Sequence, residues 1–153
     1  MAAYFFDSSA LVKRYVNEQG STWVEATTDP DSGVHVYVAA ITGVEVIAAL
    51  SRKRKGNMVS PQDASAAIVR FQQDFADEYR VIGIGDAVIT RSMTIAEAHG
   101  LRGYDAVPLG AALGTNERRV ELGATPLTLV TGDTELITAA IAEGLMTDNP
   151  NNH

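Results

Sequence analysis

Four short runs rich in aromatic and β-branched residues recur along this chain: AAYFF (2–6), VHVYVAA (34–40), YRVIGI (79–84) and LTLVT (127–131). Helical patterns separate them. Such residues pack well on a pleated surface, so each run reads as a strand. Ser60-Pro61-Gln62-Asp63 is a strong helix start, with Ser60 as N-cap, proline at the first helical position and an acid in the first turn. The helix it opens runs toward Tyr79, with Ile68, Phe71 and Phe75 on one face. From Asp133 to Glu143, Leu136, Ile137, Ala140 and Ile141 form a second helical stripe. Strands joined through helical crossovers pair in parallel, so the pattern predicts an α/β domain with a mainly parallel central sheet. Gly56 and Gly100 read as helix stops, and TTDPDSG and LGATP as turns. Residues 1–147 form one predicted domain. The polar tail 148–153 is expected to be irregular.

At 153 residues the chain is long enough for one domain with its own core. It has no cysteine, which removes disulfides, zinc–thiolate sites and thiol nucleophiles. The opening MAAYFFDSSA has no basic segment before its apolar residues, and the longest apolar stretch is broken by His35, Thr42, Gly43 and Glu45. A secretory signal and a membrane span are therefore not expected, and the protein is read as cytoplasmic. Acids outnumber bases by 19 to 12, a net charge of −7. That balance speaks against a sequence-independent nucleic-acid coat.

The placement of the acids changes this reading. In open parallel sheets, ligands bind beyond the carboxyl ends of the strands. Asp7 directly follows AAYFF, and Asp133 follows LTLVT. Either aspartate alone is explained by helix capping. Glu45 is harder to explain, because Ile41, Thr42, Ala48 and Ala49 are its helical neighbours. A lone carboxylate buried there is costly unless paired, protonated or bound to a metal. Asp105 likewise leads an apolar stretch, in LRGYDAVPLGAAL. Gathered together, four such acids repel one another unless cations intervene. Oxygen-only ligands favour Mg²⁺ or Mn²⁺ over zinc, and phosphodiester hydrolysis suits such a site.

Four segments, FFDSSALVKRYV, VEVIAAL, LRGYDAVPLGAAL and LVTGDTELITAAIAEGL, resemble the PIN domain in the VapC-type toxins of toxin–antitoxin pairs. The motifs follow the family's order over essentially the whole chain, and the tail's NPN resembles the usual ending. The resemblance implies a three-layer α/β/α fold and a metal-dependent endoribonuclease that inhibits translation. It maps the acidic ligands onto Asp7, Glu45, Asp105 and Asp133. Ser9 matches a hydroxyl beside the first aspartate, and Thr131 a polar position before the last. It further implies a homodimer and a cognate antitoxin whose C-terminal segment lies across the active site. Relatives commonly read YDALHLAAAL where this chain has YDAVPLGAAL, so Pro108 bears on the geometry of Asp105. A helix starting near Asp105 places this proline in the first turn, where it is tolerated.

In this reading Asp7 anchors the main ion, Asp105 and Asp133 complete its shell directly or through water, and Glu45 holds a second ion or orients the attacking water. Ser9 and Thr131 hydrogen-bond the carboxylates or water. RNA phosphates have candidate partners in Arg52, Lys53, Arg54 and Lys55, beyond Glu45, and in Lys13 and Arg14, beyond Asp7. The same cations also read as solvated charges favouring helix C-termini. Rival readings are a PIN-domain RNA-processing nuclease without an antitoxin and a non-catalytic PIN-like regulatory module. An aspartyl-phosphate phosphatase uses Asp-x-Asp, but residue 9 is serine. Gly83-Ile84-Gly85 lacks the third glycine of a dinucleotide fingerprint and reads as a turn. His35, His99 and His153 form no catalytic or zinc spacing, and Trp23 reads as a packing residue.

Overall fold

A computed structural model describes the whole chain, Met1–His153. Its elements are β1 (Ala3–Phe6), α1 (Ser8–Leu11), α2 (Ser21–Thr28), β2 (His35–Ala39), α3 (Ala40–Lys55), α4 (Pro61–Asp77), β3 (Arg80–Ile82), α5 (Asp86–His99), α6 (Gly103–Glu121), β4 (Thr128–Val130), α7 (Thr134–Ala142) and β5 (Met146–Asp148). Short 3-10 turns cover Val12–Arg14, Pro30–Ser32 and Pro150–Asn152. All four predicted strands are present, β1 shortened at its start and the other three at both ends. The Ser60 hydroxyl accepts a hydrogen bond from the Asp63 amide, as its sequence context predicts.

The strands form one parallel sheet in the order β3-β2-β1-β4-β5. The chain winds outward from β1 through β2 to β3, then returns to the other side of β1 for β4 and β5. The crevice between the carboxyl ends of β1 and β4 is therefore the topological switch point, where α/β sheets bind ligands.

Alternation along the strands builds two cores. Phe6, Val36, Val38 and Val130 point to the layer of α1–α4 and meet Leu11, Val24, Val46, Leu50 and Phe71. Phe5, Tyr37, Ala39 and Leu129 point to the layer of α5–α7 and meet Ile95, Leu109, Leu113 and Leu136. Phe5 and Phe6 are both fully buried, on opposite faces of one strand. Each contributes roughly 1.5–3 kcal/mol by burial. This is the three-layer α/β/α arrangement that the resemblance implied.

Two expectations are corrected. The helix α6 begins at Gly103, so Pro108 lies in its second turn and not its first. The lost donor leaves the carbonyl of Tyr104, an exposed residue at the helix start, without its i+4 partner. Gly110 has a packing reason: a Cβ there would stand 2.4 Å from Ser92 Oγ and 3.3 Å from the Val88 carbonyl oxygen of α5. Second, the tail is ordered. β5 pairs with β4, Thr128 opposite Met146 and Val130 opposite Asp148. Pro150 is buried, and its carbonyl lies so near Gly20 that any side chain there would clash, a Cβ falling 2.2 Å from the oxygen. Gly20 has φ +85°, a further reason for glycine. The His153 ring stacks on Trp23 with centroids 4.2 Å apart. These long-range contacts, and no local strand propensity, order a polar segment.

Candidate active site

Asp7 leaves the end of β1 and caps α1 through a hydrogen bond to Oδ1 from the Ala10 amide, 3.0 Å. The same oxygen accepts from Ser9 Oγ at 2.7 Å, and Oδ2 accepts from Thr131 Oγ1. A carboxylate offers about four acceptor positions, so three are filled and one remains. Both hydroxyls also reach the β4 loop: Ser9 Oγ accepts from the Gly132 amide at 3.2 Å, and Thr131 Oγ1 from the Asp133 amide at 3.1 Å. Ser9 and Thr131 thus lace the two loops together and hold the Asp7 carboxylate in one orientation.

Asp133 caps α7, its Oδ1 accepting from the amides of Glu135 and Leu136. The capping explanation is therefore correct for both aspartates, but it does not exclude a second role. Asp133 Oδ2 accepts no hydrogen bond from the protein. Asp105 stands in the first turn of α6 and Glu45 in the second turn of α3, both half-buried.

The four acids feel one another. Burial raises the Asp7 carboxyl above its ordinary range, against the Thr131, Ser9 and Ala10 hydrogen bonds, and Asp133 adds repulsion. Glu45 is raised by burial and then by Asp7 and Asp105, with the Ser8 hydroxyl opposing. Asp105 is pushed up to about 6 by burial, then by Asp133 and Asp7. Arg102 is the cation that opposes this rise at Asp105. Such mutual repulsion among partly or fully buried carboxylates is what a hard divalent cation relieves, and the donors are all oxygen. No three acidic or histidine side chains converge closely enough to enclose an ion by direct contact. The fit lies in the donor chemistry and the uncompensated charge.

Two residues escaped the sequence reading. Arg102, the N-cap residue of α6, is exposed near Asp105 and donates to the Tyr104 hydroxyl at 2.6 Å. Its signal was present, three positions before Asp105. Thr42, one turn before Glu45, is fully buried, and its hydroxyl is the one buried side-chain polar atom without a partner. No pattern in ITGVEVIAAL distinguishes it.

The expected RNA contacts divide. Arg14 is buried, donating to the Thr28 carbonyl at 3.2 Å and the Tyr79 hydroxyl at 2.9 Å, with Asp74 at 3.7 Å. Lys13 is buried against Glu18, 3.2 Å away. Both are therefore withdrawn as phosphate ligands, because their donors are committed inside the fold. Lys53 is paired with Glu18 as well. Arg52, Arg54 and Lys55 stay exposed on the last turn of α3.

The chain matches no family model. Two curated proteins, Ribonuclease VapC45 of Mycobacterium tuberculosis (strain CDC 1551 / Oshkosh) and Ribonuclease VapC49 of strain ATCC 25618 / H37Rv, are each 31% identical to it over 145 residues. Those alignments cover 94% of this chain and 93% of each relative. Among solved structures, FitAcB from Neisseria gonorrhoeae superposes with a TM-score of 0.65 at 17% identity, covering 96% of this chain and 97% of that one. A toxin–antitoxin complex from Klebsiella pneumoniae gives 0.64 at 17% identity over 96% and 97%. VapBC2 from Rickettsia felis, bound to a DNA fragment from its promoter, gives 0.61 at 16% identity over 96% and 98%. These similarities at low identity speak for the fold.

Proposed function

Because the chain belongs to the VapC ribonuclease family, the ribonuclease toxins of toxin–antitoxin pairs, we propose that the region of its four carboxylates is the endonucleolytic site and works with Mg²⁺ or Mn²⁺. The observation that carries this reading is the meeting of Asp7, Glu45, Asp105 and Asp133 at the switch point. They come from four separated segments, and burial together with their neighbours' charge raises the proton affinity of Asp7, Glu45 and Asp105.

A divalent cation bound there would lower the pKa of a water and offset charge on the leaving oxygen. Asp7 would anchor it, with Asp105 and Asp133 completing its shell directly or through water. Asp7 is the immobile member, since three hydrogen bonds fix its carboxylate. Asp133 is oriented through its capping oxygen, which leaves the other free. Glu45, half-buried on its own helix, orients the attacking water. Ser9 and Thr131 act only through Asp7 and the β4 loop.

Arg102 is the cation placed to meet RNA phosphate beside the acids, with Arg52, Arg54 and Lys55 farther along α3. Arg102→Ala is expected to raise KM for RNA about 3- to 10-fold with little change in kcat, and to reduce the salt slope by about 0.7. Steady-state cleavage at several salt concentrations reads both quantities. An unchanged KM and slope would remove Arg102 from the RNA path.

The antitoxin has an apolar seat next to the site. A groove of about 530 Å³ runs between α3 and α4, lined by Gly43, Val44, Ile47, Phe71 and Phe75. Val44 is exposed and immediately precedes Glu45, so an amphipathic segment in this groove ends against the carboxylates. Val44→Asp is expected to weaken antitoxin binding at least 10-fold and leave RNA cleavage in place. Light scattering on the co-purified pair reads that loss, and the isolated chain is expected at twice its 16.3 kDa mass. A complex undisturbed by the substitution rejects the seat, and a monomeric mass rejects the dimer.

A further inference from the structure

At the opposite pole of the sheet lies a second concavity, of about 520 Å³. His35 opens β2, Arg80 opens β3, and Arg118 and Arg119 end α6, so all four gather at the amino ends of the strands. No acidic residue lines this pocket. The chain has 12 lysines and arginines against 19 acids, yet three arginines meet here without a counter-ion inside.

The contacts are specific. His35 is bracketed by guanidiniums: Arg80 Nη2 lies 3.2 Å from its Nε2 and Arg119 Nη1 3.5 Å from its Nδ1. Arg80 and Arg119 also stand over the Tyr37 ring, 5.8 and 5.6 Å from its centroid. Arg119 is buried and anchored, its Nε donating to the Thr125 carbonyl at 2.8 Å and its Nη1 to the Tyr37 hydroxyl at 3.0 Å. Neither Arg80 nor Arg119 pairs with a carboxylate. Arg118 has only Glu121 at 3.9 Å, and both side chains are largely exposed. Partial burial, then Arg80 and Arg119, hold the His35 imidazole below its usual range, the mark of crowded positive charge.

Complementing the dipole at the end of α6 explains a base in its last turn. It does not explain Arg80 and His35, which begin strands, or the burial of Arg119 without an acid. Ile82, Val88 and Ala111 give the pocket apolar walls beside the cations. Guanidinium forks match phosphate oxygens, and an apolar wall beside them accepts a flat ring.

We propose that this pocket around Tyr37 binds the phosphate of a nucleotide through the exposed Arg80 and Arg118 beside His35, the anchored Arg119 adding buried positive charge beneath, with the base or ribose against the apolar wall. The phosphate comes either from a free nucleotide or from an RNA strand. The site stands independently of the carboxylate site, which lies at the other end of every strand.

Calorimetric titration of the full chain in EDTA, with UMP, AMP, uridine and inorganic phosphate, tests it without cation-dependent chemistry. The nucleotides are expected to bind saturably, at least 10-fold more tightly than inorganic phosphate, and uridine not at all. Arg80→Ala, an exposed position, is expected to weaken binding about 10-fold or more. Arg118→Glu, on the exposed end of α6, lowers it at least as far and guards against a folding defect in the first variant. Arg70→Ala, at an exposed position of α4, leaves it unchanged. A 5′-phosphorylated tetranucleotide that binds more tightly than UMP through Arg80 identifies RNA as the source; one that binds more weakly identifies the free nucleotide. Absent nucleotide binding, or binding unaltered in both arginine variants, overturns the proposal and leaves the ribonuclease assignment untouched.

Discussion

Asp7→Asn is expected to lower RNA cleavage by at least about 1000-fold, roughly 4 kcal/mol of transition-state stabilisation, while the protein stays folded. The amide keeps an oxygen for the Ala10 amide and the Ser9 hydroxyl, so the α1 cap and the loop lacing survive. What disappears is the one negative charge held rigidly at the switch point. Burial is the largest influence on the Asp7 carboxyl and disfavours its charged form, so a neutral isostere removes a destabilising term from the folded state. Cleavage is measured on a defined RNA with Mg²⁺, and folding by thermal melt. Cleavage at the parental rate in a folded variant would exclude Asp7 from the chemistry, and with it the proposed cation anchor.

Adding Mg²⁺ or Mn²⁺ is expected to raise the melting temperature at neutral pH and to lose that effect as the solution is acidified. At a concentration 100-fold above Kd, a ligand specific for the folded state stabilises by about 2.7 kcal/mol. For a chain of this size that is a rise of roughly 5–10 °C. The sign with pH follows from the acids. Asp105 has a folded-state pKa of about 6, above its unfolded value of 3.8, so its ionisation disfavours the folded state once the pH exceeds that lower value. Asp7 and Glu45 are shifted in the same direction. Without cation, these groups make the protein more stable as pH falls from 7 toward 4. With cation, the gain is largest above about pH 6 and shrinks below it, because protonated carboxyls no longer bind the ion. Melts at several pH values, with EDTA or Mn²⁺, measure this directly, in parent and Asp7→Asn. A cation effect of equal size at pH 5 and 7.5, or one retained in the variant, would separate ion binding from these carboxylates.

Two of the acids serve two roles at once. Capping was a sufficient local reason for Asp7 and for Asp133, and each does cap a helix. A carboxylate has two oxygens, however, and a strand end at the switch point places both near other acids. Glu45 was visible earlier because its apolar neighbours left little reason for a surface charge. The basic residues were less legible. Lys13 and Arg14 follow Asp7 at a spacing suited to phosphate, yet the turn Val12–Arg14 directs both inward, to Glu18, Thr28, Tyr79 and Asp74. Partners 14 and 65 positions away cannot be inferred from local pattern.

The sequence by itself determined the alternation of strand and helix, the parallel sheet, and the four acids in family order. Those properties are local: residue type sets strand propensity, capping and periodicity within a few positions, and motif order is linear. Tertiary structure decided what depends on distance across the chain. It ordered the tail by seating Pro150 against Gly20 and His153 on Trp23. It turned Ser9 and Thr131 into ties between two loops. It buried two of the expected cations while gathering His35, Arg80, Arg118 and Arg119 at the far pole. The net charge of −7 is a sum over the whole chain, whereas electrostatic function depends on where the charges fall, and only the fold sets those positions.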